Sequence, residues 1–405
     1  MSVTEENAAE ILRVAARGDG VTGDGRHVAL AAPGDRVASD GTLIPGPHHR
    51  EPPCRHFPEC GGCQLQHLDD ESWAAFLTDR IASALAQHGL ETEIRVPHLS
   101  PPQTRRRATL HAERRGRQVT LGFTRSGSHQ LIDLAECHVL LPELFALVQP
   151  LRELLSAMLP KSGRSNVHLV QTDQGADVSI DRVSTDSLAE IEALTGFAKR
   201  HGLARIALDE GMGPEPRWEP EPVTVTLGGV PVAFPVGSFL QATEAGEAAL
   251  IAAAREAVGD AGTIADLFAG LGTFTFAFPR AKVYAAEAAR DAVMALKGSA
   301  NIALRQVFAD HRDLYRRPVT GEELSRFDAV VLDPPRAGAR DQARELARAA
   351  TPRIAYISCN PSTFARDAEV ICKGGYALEW VQPVGQFRWS THVELAACFT
   401  RQSSG

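Results

Sequence analysis

The stretch 263–276, TIADLFAGLGTFTF, decides the fold of the second half of this 405-residue chain. Its first residues, TIADL, predict a buried strand, and Gly270 and Gly272 predict a tight turn after it. A second apolar segment, KVYAAE, predicts a neighbouring strand that ends in Glu287, twenty-one residues after Asp266. An acid at this place accepts hydrogen bonds from ribose hydroxyls in nucleotide-binding α/β folds. The stretch therefore predicts a nucleoside pocket.

The turn differs from a dinucleotide fingerprint at one position. That fingerprint carries a third glycine, whereas this chain has Thr275. The close helix packing that accompanies a bound pyrophosphate is therefore not expected, and S-adenosylmethionine is the nucleoside that suits the pattern. From Val230 onward, predicted strands and helices alternate, which is typical of a doubly wound α/β sheet.

Two further predicted strands end in residues that carry chemistry. The segment RFDAVVLDPPRAG (326–338) delivers Asp333, and YISCNPSTFARD (356–367) delivers Cys359. Open α/β sheets bind their ligands at the carboxyl ends of the strands. Free cysteine is often a buried packing residue, which is the alternative for Cys359. Its place beside an acid-Pro-Pro turn and a methyl-donor pocket favours a nucleophile that acts on a flat nitrogenous substrate.

A cysteine-rich segment, CRHFPECGGCQLQH (54–67), lies in the first half of the chain. Its paired glycines allow the backbone to fold tightly, so that neighbouring thiolates converge. Four thiolates can hold zinc or an iron–sulfur cluster, and the x5–x2 spacing favours the cluster over a zinc ribbon. His56 and His67 leave a mixed zinc site open. The four candidate ligands are Cys54, Cys60, Cys63 and Cys137.

Charge is unevenly distributed along the chain. The net charge of −8 argues against a simple polybasic nucleic-acid binder. Between positions 101 and 130, however, seven arginines occur with a single acid, Glu113, in segments that alternate like a β-hairpin. The hairpin either has a solvated basic rim or contacts phosphate groups.

Nothing in the sequence predicts a membrane protein. No apolar run approaches the roughly 20 residues of a membrane span. The N-terminus lacks the basic start and continuous apolar core of a signal peptide. We therefore expect a cytoplasmic protein with reduced thiols and no membrane partner.

Five blocks of sequence identify the chain as similar to a known family. It resembles the S-adenosylmethionine-dependent RNA uracil-C5 methyltransferases (class I RNA 5-methyluridine methyltransferases), in the iron–sulfur-containing ribosomal RNA branch. SCNPSTFARD followed by HVE is nearly diagnostic. The blocks are CGGCQLQH (60–67), GSFLQAT (237–243), DLFAGLGTFTF (266–276), DPPRAG (333–338) with SCNPSTFARD (358–367), and STHVE (390–394).

The resemblance implies an α/β protein of three domains. Residues 1–48 would form a reduced OB- or TRAM-like β-barrel that binds RNA. Residues 49–228 would form an α+β central domain with the iron–sulfur site and the basic hairpin. Residues 229–405 would form the Rossmann-like class I methyltransferase domain.

The resemblance also implies a role for each matching position. Cys359 would be the nucleophile, Glu394 the base, and Phe239 an aromatic next to the flipped base. The four cysteines would bind a [4Fe-4S] cluster. The implied contacts to S-adenosylmethionine are Gln241, Phe268, Thr273, Glu287, Asp313 (with Asp310 as the alternative) and Asp333.

Four positions depart from the family pattern. Thr273 and Thr243 stand where the family usually has asparagine. Gly385 and Arg388 replace its usual acid and proline before STHVE. These departures bear on cofactor affinity and target choice more than on the chemistry.

The expected activity is methyl transfer to C5 of a specific uridine in RNA by a monomeric enzyme, with large-subunit ribosomal RNA as the expected substrate. A thiolate that adds to C6 makes C5 reactive, and a base then removes the C5 proton. The alternatives are a transfer-RNA enzyme, a cytosine-C5 methyltransferase and a catalytically silent iron–sulfur RNA-binding protein. Intact Cys359 and Glu394 argue against the silent protein.

Overall fold

The structure is a computed structural model that describes residues 8–185 and 187–402. Its first part is a small antiparallel sheet of five short strands, in the order β3-β2-β1-β4-β5, which agrees with the reduced OB-like barrel. Ile11, Ala31 and Val37 form its core. Asp35 is buried and accepts hydrogen bonds from the backbone of Ala32 and Gly46, both at 2.7 Å. The strands are β1 (Ala9–Val14), β2 (Gly20–Thr22), β3 (His27–Val28), β4 (Arg36–Val37) and β5 (Leu43–Ile44).

A helix and two very short strands follow the cysteine-rich segment. The carboxylate of Asp69 caps the helix by accepting from the backbone N–H of Ser72 at 2.9 Å. The buried face of the helix carries Trp73, Phe76 and Leu77. The elements are α1 (Asp70–Ala86), β6 (Glu93–Ile94) and β7 (His98–Leu99).

The central part is a six-stranded sheet with three helices. Its strand order is β13-β12-β11-β10-β8-β9, and β8 and β9 form the predicted hairpin. Alternating residues of β8 and β10 fill the core under the helices, including Leu110, Val167 and Leu169. A separate hairpin of β14 and β15 leads to the last part. The elements are β8 (Arg107–Arg115), β9 (Gln118–Gly122), α2 (Pro142–Ala146), α3 (Val148–Met158), β10 (Arg164–Thr172), β11 (Gly175–Asp181), α4 (Leu188–Arg200), β12 (Arg205–Asp209), β13 (Pro214–Trp218), β14 (Thr224–Leu227) and β15 (Val230–Ala233).

The last part is the predicted doubly wound sheet. Its order is β18-β17-β16-β19-β20-β22-β21-β6, parallel from β18 to β20 and antiparallel at β22. The direction of winding reverses at β16, which places the ligand crevice at the carboxyl end of that strand. The elements are α5 (Glu244–Val258), β16 (Thr263–Leu267), a 3-10 turn (Thr275–Ala277), β17 (Lys282–Glu287), α6 (Arg290–Ile302), β18 (Val307–His311), α7 (Gly321–Leu324), β19 (Ala329–Leu332), α8 (Arg340–Arg348), β20 (Arg353–Ser358), α9 (Pro361–Lys373), β21 (Tyr376–Gly385) and β22 (Glu394–Arg401).

The segment 70–99 belongs spatially to this last sheet. Both β6 and β7 pair in parallel with β21, and α1 packs on α9 and β21. The sequence places this segment in the central domain, so the structure joins two of the proposed domains more closely than their boundaries suggest. Within the described ranges, no helix combines the length and hydropathy that a membrane crossing requires.

Candidate active site

A cavity of about 570 Å³ opens at the carboxyl edge of the last sheet. It brings together every residue that the sequence predicts for the nucleophile, the base, the methyl-donor contacts and the aromatic next to the flipped base. Since these residues come from positions spread over more than 150 residues of chain, the fold rather than local sequence assembles the site. The nine are Phe239, Gln241, Phe268, Thr273, Glu287, Asp313, Asp333, Cys359 and Glu394.

Cys359 and Glu394 lie at the same edge because their strands run antiparallel. Ser358, the last residue of β20, pairs with Leu395 near the start of β22. Asn360 fixes the turn after Cys359: its side chain caps α9 by accepting from the backbone of Ser362 at 3.1 Å. The same side chain donates to the carbonyl of Arg336 at 3.1 Å, which holds the turn against the acid-Pro-Pro segment.

Burial controls the protonation of the acidic groups in the cavity. It raises the pKa of Glu394 to about 8, and the nearby charge of Asp333 acts in the same direction. It also raises the pKa of Asp333 to about 7, with help from Asp266. Burial raises the pKa of the Cys359 thiol to about 11, and the charges of Glu394 and Asp333 add to this effect. These surroundings disfavour the thiolate form of Cys359, whereas the charge of Arg336, which also lines the cavity, favours it.

The side chains predicted to contact the methyl donor are held by hydrogen bonds to backbone and side-chain groups. The carboxylate of Glu287 accepts from the N–H groups of Gly270 at 3.0 Å and Ala289 at 2.7 Å, which fixes the glycine turn next to it. The amide of Gln241 donates to Asp333 at 3.3 Å and accepts from Gln386 at 2.8 Å. These contacts hold the side chains in place before any ligand arrives.

An aromatic slot lies beside these groups. The ring of Phe268 is 5.5 Å from that of Tyr315, and the backbone of Phe268 has a φ of 63°, a conformation that non-glycine residues rarely adopt. Strained residues of this kind cluster at ligand sites. Asp313 lines the cavity next to Tyr315, whereas Asp310 accepts a hydrogen bond from the hydroxyl of Tyr284 at 2.7 Å. Of these two acids, only Asp313 is among the described residues that line the cavity.

The four cysteines line a second, small and mostly apolar cavity next to the first. Arg105 also lines it, and its guanidinium is 5.5 Å from the ring of Phe387, which borders the catalytic cavity. Burial lowers the pKa of Arg105, while the thiols of Cys137 and Cys63 favour its charged form. No carboxylate lies within 4.0 Å of this guanidinium in the part of the chain that the structure describes.

The loop before Glu394 is attached to the cysteine-rich segment. The carbonyl of Trp389 accepts from the backbone N–H groups of Gln64 at 2.7 Å and Leu65 at 2.9 Å. Trp389 has a φ of 57° and packs in one small apolar cluster with Cys63 and Val139. The position of the predicted base therefore depends on the fold of the cysteine-rich segment.

Comparisons with known proteins agree with this geometry. A family model described as tRNA (Uracil-5-)-methyltransferase matches residues 232–402. An uncharacterized RNA methyltransferase of Zymomonas mobilis is 49% identical over 97% of this chain and 99% of its own. The chain belongs to the RNA (uracil-5-)-methyltransferase family.

Two further relatives extend the comparison within the family. A protein of Pectobacterium atrosepticum named 23S rRNA (uracil(1939)-C(5))-methyltransferase RlmD is 34% identical over 88% of this chain and 81% of its own. The crystal structure of the Pyrococcus abyssi tRNA (uracil-54, C5)-methyltransferase in complex with S-adenosyl-L-homocysteine has a TM-score of 0.74 at 23% identity. It covers 97% of this chain and 100% of that one, which confirms the predicted fold over the full length.

The departures of this family member from the usual pattern have packing reasons. A side-chain carbon at Gly385 would lie 2.9 Å from the ring of Trp73 on α1, so no acid fits there. Arg388 stacks on both Trp73 and Trp389 and forms an ion pair with Asp70. Helix α1 therefore contacts both departing positions, through Trp73 at Gly385 and through Trp73 and Asp70 at Arg388. Thr243 caps α5, and Thr273 lines the cavity.

The structure divides the arginines of the predicted basic hairpin. Arg105, Arg106 and Arg107 point inward, and only the arginines near the turn of the hairpin (Arg114, Arg115 and Arg117) stay at its rim. Arg125 forms an ion pair with Glu59 at 2.7 Å. The rim is therefore less basic than the arginine count alone indicates.

Several residues that line the cavity were not predicted from the sequence. Arg107, Tyr315, Phe387 and His392 all line it. His392 lies inside the STHVE block, two residues before the predicted base, and this position could have identified it as a cavity residue. Arg107 gave none, because it is one of three successive arginines that have identical local sequence patterns.

Proposed function

We propose that this enzyme transfers a methyl group from S-adenosylmethionine to C5 of a uridine in RNA. The observation that carries the proposal is the pair Cys359 and Glu394, which neighbouring antiparallel strands deliver to one cavity. Phe239 lines the same cavity and is 60% exposed, so a base that leaves its stack can reach the ring.

The chemistry explains why a thiol and a carboxyl group are both needed. C5 of uracil is a poor nucleophile, and addition of the Cys359 thiolate to C6 converts the ring into an enolate that reacts at C5. S-adenosylmethionine, bound along Phe268 and Glu287, supplies an electrophilic methyl group. Glu394 then accepts the C5 proton, after which the sulfur–C6 bond breaks and the thiolate leaves. With its pKa raised to about 8, Glu394 is a stronger base than an ordinary carboxylate.

Ribosomal RNA of the large subunit is the substrate class we propose. The relative named as a 23S rRNA methyltransferase, 34% identical over most of both chains, supports this choice. The family description, which names tRNA, supports transfer RNA as the second candidate. A map of 5-methyluridine in cellular RNA from strains with and without the gene separates the two. Loss of a signal from ribosomal RNA is the expected result, and loss from transfer RNA alone would reverse the choice.

Two variants test the roles of the catalytic pair. Cys359→Ala should abolish both methylation and any covalent RNA complex. Glu394→Gln should still add to C6 and still transfer the methyl group, but it should then stall because C5 keeps its proton. The stalled species should survive denaturing electrophoresis as a protein–RNA adduct that carries the labelled methyl group. Methylation by Cys359→Ala would show that this cysteine only packs in the core.

We also propose that the four cysteines hold a [4Fe-4S] cluster. Among the described residues, the only three potential metal ligands of the His, Cys, Asp and Glu types whose ligand atoms lie within 4.8 Å of one another are His48, Asp69 and Glu71. No three cysteine sulfurs of the described residues all lie within 4.8 Å of one another, whereas sulfurs around one zinc ion lie about 3.8 Å apart, given Zn–S distances of about 2.3 Å. This spacing fits a larger inorganic core.

The charge of Arg105 supports an anionic group in the cysteine cavity. A guanidinium that is largely buried needs a negative partner, and the thiolates of a bound cluster would supply one. Through Trp389, the same segment holds the loop that ends in Glu394. We therefore propose a structural role for the cluster, which keeps the base loop and the start of the basic hairpin in register.

A further inference from the structure

Three successive arginines at the start of β8 have three different surroundings. Arg105 borders the cysteine cavity, and Arg106 forms a buried ion pair with Glu247 at 2.6 Å. Arg107 is the first residue of β8, and its backbone carbonyl accepts a hydrogen bond from the Nε of Arg105 at 3.0 Å. It enters the catalytic cavity next to Phe239 and faces Glu394.

The guanidinium of Arg107 is held in place but has no ionic partner. Its central carbon lies 4.5 Å from the centre of the Phe239 ring, in a cation–π contact. Its Nε is buried without a hydrogen-bond partner, and no ion pair of Arg107 occurs among the residues that the structure describes. Burial lowers its pKa to about 10, so the group is still a cation at neutral pH. An unpaired cation directed into a cavity indicates that a ligand supplies the missing negative charge.

The proposed reaction generates negative charge at a defined atom. As the sulfur–C6 bond forms, the C5–C6 double-bond pair moves to C4–C5, and the C4 carbonyl pair moves onto the 4-oxygen. When C5 takes the methyl group, that charge returns to the ring and the carbonyl is restored. A fixed cation in a water-poor cavity stabilises such an oxyanion far more than water does. Phe239 holds Arg107 at the edge of the position proposed for the flipped base.

We propose that Arg107 is a catalytic residue, whose guanidinium donates a hydrogen bond to the 4-oxygen of the uracil as the enolate forms. This inference rests on the proposed function and assigns a further residue to it. Arg107 thus acts on the first step of the reaction, whereas Glu394 acts on the last.

The test compares Arg107→Gln and Arg107→Lys with Arg326→Gln, which removes an exposed arginine that does not line the cavity. RNA carrying 5-fluorouridine is used at saturating concentration, and the rate of covalent adduct formation is measured in single turnovers. Arg107→Gln should lower the rate of adduct formation by about 100- to 1,000-fold, the usual effect of losing one oxyanion donor. Arg107→Lys should recover part of that loss, and Arg326→Gln should keep the wild-type rate.

Two controls separate the outcomes. RNA affinity and methyl-donor affinity of Arg107→Gln should stay within about threefold of wild type. A defect confined to RNA affinity, or an unchanged adduct rate, would overturn the assignment and show a phosphate contact or simple packing. If wild-type enzyme forms no adduct at all, the proposed function fails and this role fails with it.

A change of substrate tests whether Arg107 acts on the 4-oxygen of the uracil. When the target base is 4-thiouridine, sulfur replaces the 4-oxygen and accepts hydrogen bonds poorly. The ratio of wild-type to Arg107→Gln rates should then fall by at least tenfold relative to uridine. An unchanged ratio would show that Arg107 does not act on this position.

Discussion

The buried ion pair between Arg106 and Glu247 allows a quantitative prediction. The Nη2 atom of Arg106 lies 2.6 Å from a carboxylate oxygen of Glu247, and both residues are 8% exposed. Arg106 also donates through Nε to the carbonyl of Gln241 at 3.0 Å. Truncation of Glu247 leaves a buried guanidinium whose remaining carboxylate neighbour, the exposed Glu244, lies 3.9 Å away. The pair therefore joins β8 to α5 at the point where Gln241 enters the cavity.

The expected cost follows from this burial. Removal of one partner of a buried pair costs about 3–5 kcal/mol. At about 1.4 kcal/mol per tenfold change, Glu247→Ala should raise the unfolding equilibrium constant by roughly 100- to 5,000-fold. Replacement of both partners by apolar residues, as in Arg106→Met with Glu247→Leu, should recover most of the loss, because no charge then remains buried.

The assay is urea unfolding followed by tryptophan fluorescence, and the first transition is compared between variants. Glu244 offers a matched control: it lies on the same first turn of α5, 3.9 Å from Arg106, but its side chain is 86% exposed. Glu244→Ala should change stability by about 1 kcal/mol or less. Methyl-donor affinity should fall in Glu247→Ala, because Gln241 loses its support. Equal effects of Glu244→Ala and Glu247→Ala would refute the reasoning.

Three further predictions concern the cluster, the hairpin and the buried acids. Anaerobically purified protein should be brown with broad visible absorption, and colourless protein with one equivalent of zinc would contradict the [4Fe-4S] proposal. Replacing Arg114, Arg115 and Arg117 together should weaken RNA binding and reduce its salt dependence, while methyl-donor binding stays intact; an unchanged salt slope would leave the hairpin turn as a solvated surface. Burial raises the pKa values of Asp266 and Asp333 to about 7. Because the folded state then binds more protons than the unfolded state between pH 4 and 7, their contribution makes the protein less stable as pH rises through that window. Asp266→Asn should flatten the dependence of the urea midpoint on pH, and an unaltered slope would show that this acid is ionised when buried.

The local sequence pattern was sufficient to predict which residues meet in the cavity where strands and turns alternate regularly along the chain. Asp266, Glu287, Asp333 and Cys359 each stand at or near the carboxyl end of an apolar segment, and parallel strands bring such ends together. Glu394 reaches the same edge of the sheet because it begins β22, which runs antiparallel to β20. The assembly of the cavity was therefore predictable, although the roles of its residues stay predictions.

Other features could not be read from sequence because they depend on distant contacts. The arginines at 105, 106 and 107 share one local environment along the chain, and only tertiary packing gives each a different partner. The strands β6 and β7 are two residues long, too short for any periodicity to emerge. From the sequence, Gly385 is interpreted as the loss of an acid. In the structure, the ring of Trp73 leaves no room for a side chain at this position.

The pairing of β6 and β7 with β21 affects how the enzyme is made and how it can be divided. During synthesis, Glu93 leaves the ribosome long before Trp380, its partner in the sheet, so the edge of the catalytic sheet is completed only when the chain is almost finished. A fragment that begins at residue 229 would expose β21 as an unpaired edge, which favours aggregation. Exchanging the middle of this chain with that of a relative would likewise replace part of the catalytic sheet. The methyltransferase half thus depends on a segment from the first half of the chain, in which Glu93 precedes its partner Trp380 by 287 residues.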